Sequence, residues 1–238
     1  MSDLAALIAA NARRWAIVRT LTAKAAAFRA TARRLVAAKD RYQAVARNTG
    51  VPWYVIAVIH EREASQRWDA SLAQGDPWAH VSVHVPSGRG PFASWEAAAR
   101  DALTECPPHA AAWQDWTPGG AMTLLEQYNG LGYARMELPS PYIWAGTDQY
   151  RSGKYVGDGR FAPDVVDTQL GCAGLLLAMT EIDASVAAGL GKPTTSVPSV
   201  APPATRAPSS RPVRPAPHPP AIVASVLSAI ARLFGKSA

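Results

Sequence analysis

Cysteine is scarce in this chain. Among 238 residues only Cys106 and Cys172 are cysteines, which is too few for a disulfide framework and lacks the paired spacing of a zinc site. They read as two buried thiols. Residues 3–47 hold neither proline nor glycine, so nothing there interrupts a helix. Acid is missing from residues 192–238, which carry six basic residues and no Asp or Glu. No apolar run reaches the length of about 18 residues that an ordinary membrane span needs. The N-terminus lacks a basic start followed by an apolar stretch, since Arg13, Arg14 and Arg19 interrupt it, so no secretory signal peptide is expected. There is no HExxH and no Cys/His cluster, so no metal and no cofactor is expected. No nucleic-acid-binding motif is present either.

Charge is segregated rather than scarce. Residues 1–48 carry ten basic residues against Asp3 and Asp40; residues 49–191 carry eight basic and sixteen acidic; the net charge is +6. An acidic middle between basic ends points those ends at anionic surfaces, and envelope polymers or membranes rank above nucleic acid. Hydrophobic content of 48% with 18% charged residues is enough for a real core.

Four segments follow from composition. Residues 1–48 are rich in Ala, Leu, Arg and Lys, with Leu4, Ile8, Trp15, Val18, Leu21, Phe28, Leu35 and Val45 near helical spacing; one or two long amphipathic helices are expected. Residues 49–191 form the main domain. "NTGVP" stops one helix, Pro52 starts another over 52–64, and further helices are expected over 94–105 (capped by Ser94), 118–130 and 164–189. "HVSVHV" at 80–85 alternates and predicts a short strand or hairpin flanked by His80 and His84 as surface residues, while "LPSPYIWAG" and "SGKYVGDGRFAP" read as loops. Residues 192–220 hold ten of the twenty prolines and form a semi-rigid spacer. Residues 221–238 are expected to form an amphipathic cationic helix, suited to lie in a membrane interface or to dock on the core. Arg206, Arg211, Arg214, Arg232 and Lys236 would meet an anionic envelope surface.

The helix over 52–64 keeps its charge for its end: "VPWYVIAV" runs into "IHERE". A carboxyl at the edge of an apolar helix is desolvated, its pKa rises, and it can protonate a leaving oxygen. Glu63 is the candidate acid. Asp76 in "QGDPW" is a candidate partner, and Ser82 six residues on can hold a water. The alternative is a solvated helix end in which Glu61 or Glu63 pairs with Arg62 or Arg67. His60 lies one turn before Glu63 and is either a substrate contact or a satisfied buried histidine. Aromatic faces and amides suit sugars, so Tyr128, Asn129, Tyr133 and Tyr142 are candidates for the substrate wall. Trp113, Trp116 and Trp144 read equally well as core.

The ordered series "VIHERE", "QGDPW", "HVP", "YNGLGY", "SPYIWAGT" and "GKYVGDGRF", spanning about 42–180, resembles a bacterial and phage family of lysozyme-like muramidases and endolysins. The resemblance implies a mainly α, lysozyme-like helical domain with a small β-hairpin. It also implies that Glu63 is the catalytic glutamate and that Asp76 and Ser82 stand where the family's aspartate and hydroxyl stand. Serine replaces the family's threonine, and Ala64 separates Glu63 from Ser65. The implied activity is cleavage of the N-acetylmuramic acid–N-acetylglucosamine β-1,4 bond of peptidoglycan by a monomer. It would be held in the host cytoplasm until release to the periplasm and cell wall. Inversion follows if the carboxyls lie roughly 6.5–9.5 Å apart. "EQYNGLGY" also resembles the sugar-cleft segment of lytic transglycosylases, which makes anhydro-sugar formation the first rival. A non-catalytic, envelope-permeabilising protein is the second.

Overall fold

A computed structural model describes residues 3–73, 75–157 and 159–190. The expected proline spacer and terminal helix, with Arg206, Arg211, Arg214, Arg232 and Lys236, lie outside these residues. The fold is mainly helical. α1 (Leu4–Ile17), α2 (Thr22–Ala37), α3 (Lys39–Thr49) and α4 (Trp53–Ala64) follow one another; α5 (Trp95–Thr104), α6 (Pro118–Tyr128), and the single turns α7 (Gly132–Arg135) and α8 (Pro141–Trp144) come next. An antiparallel hairpin, β1 (Lys154–Gly157) and β2 (Arg160–Ala162), precedes α9 (Cys172–Thr180) and α10 (Ala184–Leu190). Among the described residues no helix is long and apolar enough to cross a membrane.

The axis of the molecule is α4. Every residue from Trp53 to His60 is buried, on all sides of the helix. A helix with no wet face must be surrounded, and α2, α3 and α9 pack around it. Residues of the first 48 share this core: Trp15, Val18, Phe28, Leu35, Tyr42 and Val45 are buried together with Val55, Ile56, Leu124 and Leu176. Close crossings fix the outer helices. On α6, a Cβ at Gly119 would stand 2.5 Å from the Ile8 carbonyl of α1. On α9, a side chain at Gly174 would collide with the Phe28 ring of α2.

The N-terminal segment is three helices, not one or two. No breaker residue stands between α1 and α2; the interruption is tertiary. Leu21 N–H donates to the Gly146 carbonyl, Asp148 N–H to the Arg19 carbonyl, and Arg19 N–H to Asp148 Oδ1. The chain at 19–21 takes its hydrogen bonds from the 146–148 turn and gives up its helical ones. α5 begins at the expected cap, Ser94, whose Oγ accepts from Ala97 N–H. The closing helix expected over 164–189 is instead the pair α9 and α10.

Two β expectations are corrected. The hairpin lies at 154–162, within a stretch read as loop, and 80–85 carries no strand. Val81, Val83 and Val85 alternate but are exposed by 52%, 78% and 39%, so the apolar face of that segment is uncovered, and no strand among the described residues pairs it. The hairpin at 154–162 does have cover: Tyr155 and Phe161 pack edge-on against each other and against Tyr133 of α7.

Candidate active site

α4 ends where Ser65 turns left-handed at φ 51, its N–H donating to the Glu61 carbonyl. Gln66 follows at φ 57 and donates its N–H to the His60 carbonyl. Two successive non-glycine residues in this region are uncommon and carry backbone strain. The turn is reinforced by the Gln66 side chain, whose Nε2 donates to the Arg34 carbonyl and the Tyr42 hydroxyl. Glu63 therefore sits on the last turn of a helix whose body, Trp53 to His60, is buried on every side.

Glu63 is partly buried. The Tyr142 hydroxyl donates to its Oε1 at 2.8 Å, and burial pushes the carboxyl up to about 7 against that hydrogen bond and the nearby Arg62 cation. Near neutral pH it holds a proton in a large fraction of molecules, as a general acid must. The solvated helix-end pairing does not form. Glu61 turns to Arg34 at 3.7 Å, and the Arg67 guanidinium donates to the Gly75 carbonyl. Arg62 is only 6% exposed; it donates to the Leu170 carbonyl, faces Asp167 at 3.5 Å, and lies over the Tyr142 ring at 4.7 Å. Asp167 is shared with Lys154 of β1 at 3.0 Å. Tyr142, expected on the sugar wall, is 3% exposed and braced between Arg62 and Glu63. Its role here is to hold the acid.

The partner turn lies against the end of α4. Gly75, at φ +70, sits so that a Cβ on it would be 3.5 Å from the Glu63 carbonyl. Asp76 is next, and its carboxylate is fully engaged. Oδ2 accepts from the N–H groups of Val83 at 2.9 Å and His84 at 3.0 Å, and Oδ1 lies 2.6 Å from His84 Nδ1. These donors hold the Asp76 carboxyl below its ordinary range despite partial desolvation. Ser82 is likewise spent on its own loop: Oγ donates to the Pro86 carbonyl and accepts from Arg89 N–H. It is 6% exposed, so the expected water-holding role passes to a loop-closing one. His84, expected as a surface residue, is partly exposed and held by Asp76.

The remaining expected wall residues divide. His60 is fully buried among Tyr42, Trp68 and Trp95. Its Nε2–H donates to the Arg67 carbonyl, because a carbonyl only accepts, which leaves Nδ1 to take the Tyr42 hydroxyl hydrogen at 3.0 Å. Desolvation lowers its pKa to about 4, so it is neutral and structural, the satisfied-histidine alternative. Tyr128 is 8% exposed at the end of α6. Tyr133 accepts from Tyr155 N–H and anchors the hairpin. Asn129 remains part-exposed, with Nδ2 donating to Ser140 Oγ at 3.3 Å. Of the four, Asn129 keeps an accessible polar group. Trp144 is fully buried, and Trp113 and Trp116 pack partly buried against the core. Cys106 and Cys172 are free, buried thiols.

Chemistry-bearing residues that the sequence did not single out are Asp167 and Glu126; Arg62 was named there only as a pairing partner at the helix end. Glu126 is 2% exposed in α6, its Oε1 has no partner, and burial pushes it up to about 8. Like Glu63 it is pushed up by burial, but it lies beneath the surface with Arg14 of α1 as its nearby cation. Access separates the two acids.

Compared with family models, curated proteins and solved structures, the chain matches none. The site therefore has to be read from its own geometry.

Proposed function

We propose that this protein cleaves the β-1,4 glycosidic bond between N-acetylmuramic acid and N-acetylglucosamine in peptidoglycan, with Glu63 as the general acid and water as the attacking group. One observation carries the reading: Glu63 closes a wholly buried helix, reaches a partly open surface, and has its Oε1 held by Tyr142. Its second oxygen is left to carry the proton to a leaving sugar oxygen. The turn bearing Asp76 abuts the same helix end and supplies the water side of the site. The lysozyme-like character of the fold, the role of lysing bacteria from within, and capture of anionic envelope surfaces by the basic termini belong to the same proposal.

A second reading has an observation of its own. Because Asp76 accepts three hydrogen bonds within its loop, only one carboxyl is free at the site, which suits a lytic transglycosylase forming a 1,6-anhydro sugar. Mass spectrometry of digested muropeptides separates the two, since the anhydro product is one water lighter. Glu63→Gln is expected to abolish release of soluble muropeptides from purified sacculi while leaving the circular dichroism unchanged. The same substitution should raise the melting temperature at pH 8. A carboxyl whose folded pKa is raised above its unfolded value of about 4.3 loses stability as pH climbs through the folded value, here about 7. Retained activity in the variant sinks the assignment.

A further inference from the structure

The hydrolysis proposed above needs a base for the attacking water, and Asp76 is poorly placed to be that base. Its Oδ2 accepts two backbone N–H groups and its Oδ1 faces the His84 ring. An anion stabilised by three donors stays ionised and takes a proton reluctantly. The Ser82 hydroxyl hydrogen is already donated to the Pro86 carbonyl.

The ring of His84 is different. An ionised carboxylate only accepts, so Nδ1 carries the hydrogen that points at Asp76 Oδ1, 2.6 Å away. That fixes the tautomer of the neutral ring with its lone pair on Nε2, and Nε2 has no hydrogen-bond partner among the described residues. The side chain is 32% exposed, open to a water. A carboxylate that orients an imidazole while its far nitrogen takes a proton is a general solution for activating a weak nucleophile. Among the described residues, Asp76 is the titratable group paired with the ring. The cation of this loop, Arg89, is turned away to Asp101 of α5.

We propose that His84, oriented by Asp76, is the general base of the reaction; the inference rests on the hydrolase reading above. In the step, the water oxygen bonds to the anomeric carbon and its proton passes to His84 Nε2. The glycosidic C–O bond breaks, its electron pair stays on the leaving oxygen, and that oxygen takes the Glu63 proton. His84 ends as imidazolium and Glu63 as carboxylate, and exchange with solvent resets both. Asp76 is a positioning residue.

The test uses full-length wild type, His84→Asn, His84→Ala and Glu63→Gln on purified sacculi, with and without sodium azide. Asparagine keeps an N–H to offer Asp76 but has no distal nitrogen. The expected result is a loss of about 10²–10⁴-fold in kcat for His84→Asn. Azide, a nucleophile that needs no base, should restore turnover and yield a glycosyl azide visible by mass spectrometry. The acid limb of the wild-type kcat/KM profile should vanish in the rescued variant. His84→Ala serves if the asparagine variant is misfolded by circular dichroism, and is expected to behave alike. Activity within about threefold of wild type, a loss that azide does not rescue, or anhydro products from wild type would each overturn the proposal. Glu63→Gln keeps the two readings apart. If it is dead while His84 variants are active, glycan cleavage by Glu63 stands and only the base assignment falls; if it is active, the underlying reading falls too.

Discussion

At the scale of single residues, burial and one hydrogen bond oppose each other at Glu63. Desolvation raises its pKa and the Tyr142 hydroxyl lowers it by favouring the anion. Activity that needs the protonated acid should therefore decline as pH rises through about 7. Tyr142→Phe removes only the lowering hydrogen bond, so its alkaline limb should move to higher pH in a kcat/KM profile; a limb that stays put or moves down refutes the assignment of Tyr142. Glu126 has no such donor for Oε1, and its folded pKa of about 8 lies well above the unfolded value of about 4.3. The stability it contributes is complete below the unfolded pKa and is lost as pH climbs to the folded one. Glu126→Gln should thus melt above wild type by a margin that widens from pH 5 to pH 8 in differential scanning calorimetry. Glu63 was legible in the sequence because charge collects at the end of an apolar run. His84 was not. Eight residues separate it from Asp76, and the pairing arises from a loop that folds on itself through Ser82, Gly88 and Arg89 backbone hydrogen bonds.

At the scale of elements, helices with one strong local signal were readable and those broken by distant contacts were not. α5 starts at Ser94 and α6 at Pro118, after a Thr117 hydroxyl that accepts from Gly120 N–H. The split at 18–21 has no local cause and depends on residues 146–148. The hairpin was missed although aromatic and β-branched residues flank "GDG", a turn signal. The alternation at 80–85 misled because a period of two reports a strand only where one face is covered. Helix crossings give this scale its own prediction. Gly119→Ala would press a methyl onto the Ile8 carbonyl, forcing α1 off α6. It is expected to destabilise by about 1–3 kcal/mol in urea unfolding followed by tryptophan fluorescence.

At the scale of the whole molecule, the first 48 residues look separable by charge and are inseparable by packing. Phe28, Ala32, Leu35, Tyr42 and Val45 are part of the layer that covers α4. A fragment covering 49–190 would leave that helix open on one side. It should show no cooperative thermal transition, whereas 1–190 should melt in one step; a folded, active 49–190 fragment would show that the N-terminal helices are accessory.

Because α4 is enclosed from Trp53 to His60, the partly exposed last turn that presents Glu63 is tied to the interior of the molecule. Warming cannot blunt the acid gradually, as it would on a surface loop. The activity proposed here should persist undiminished by local loosening until the interior gives way, then cease together with the fold. Any selection for heat tolerance in this chain would act on the walls around that helix rather than on Glu63 itself.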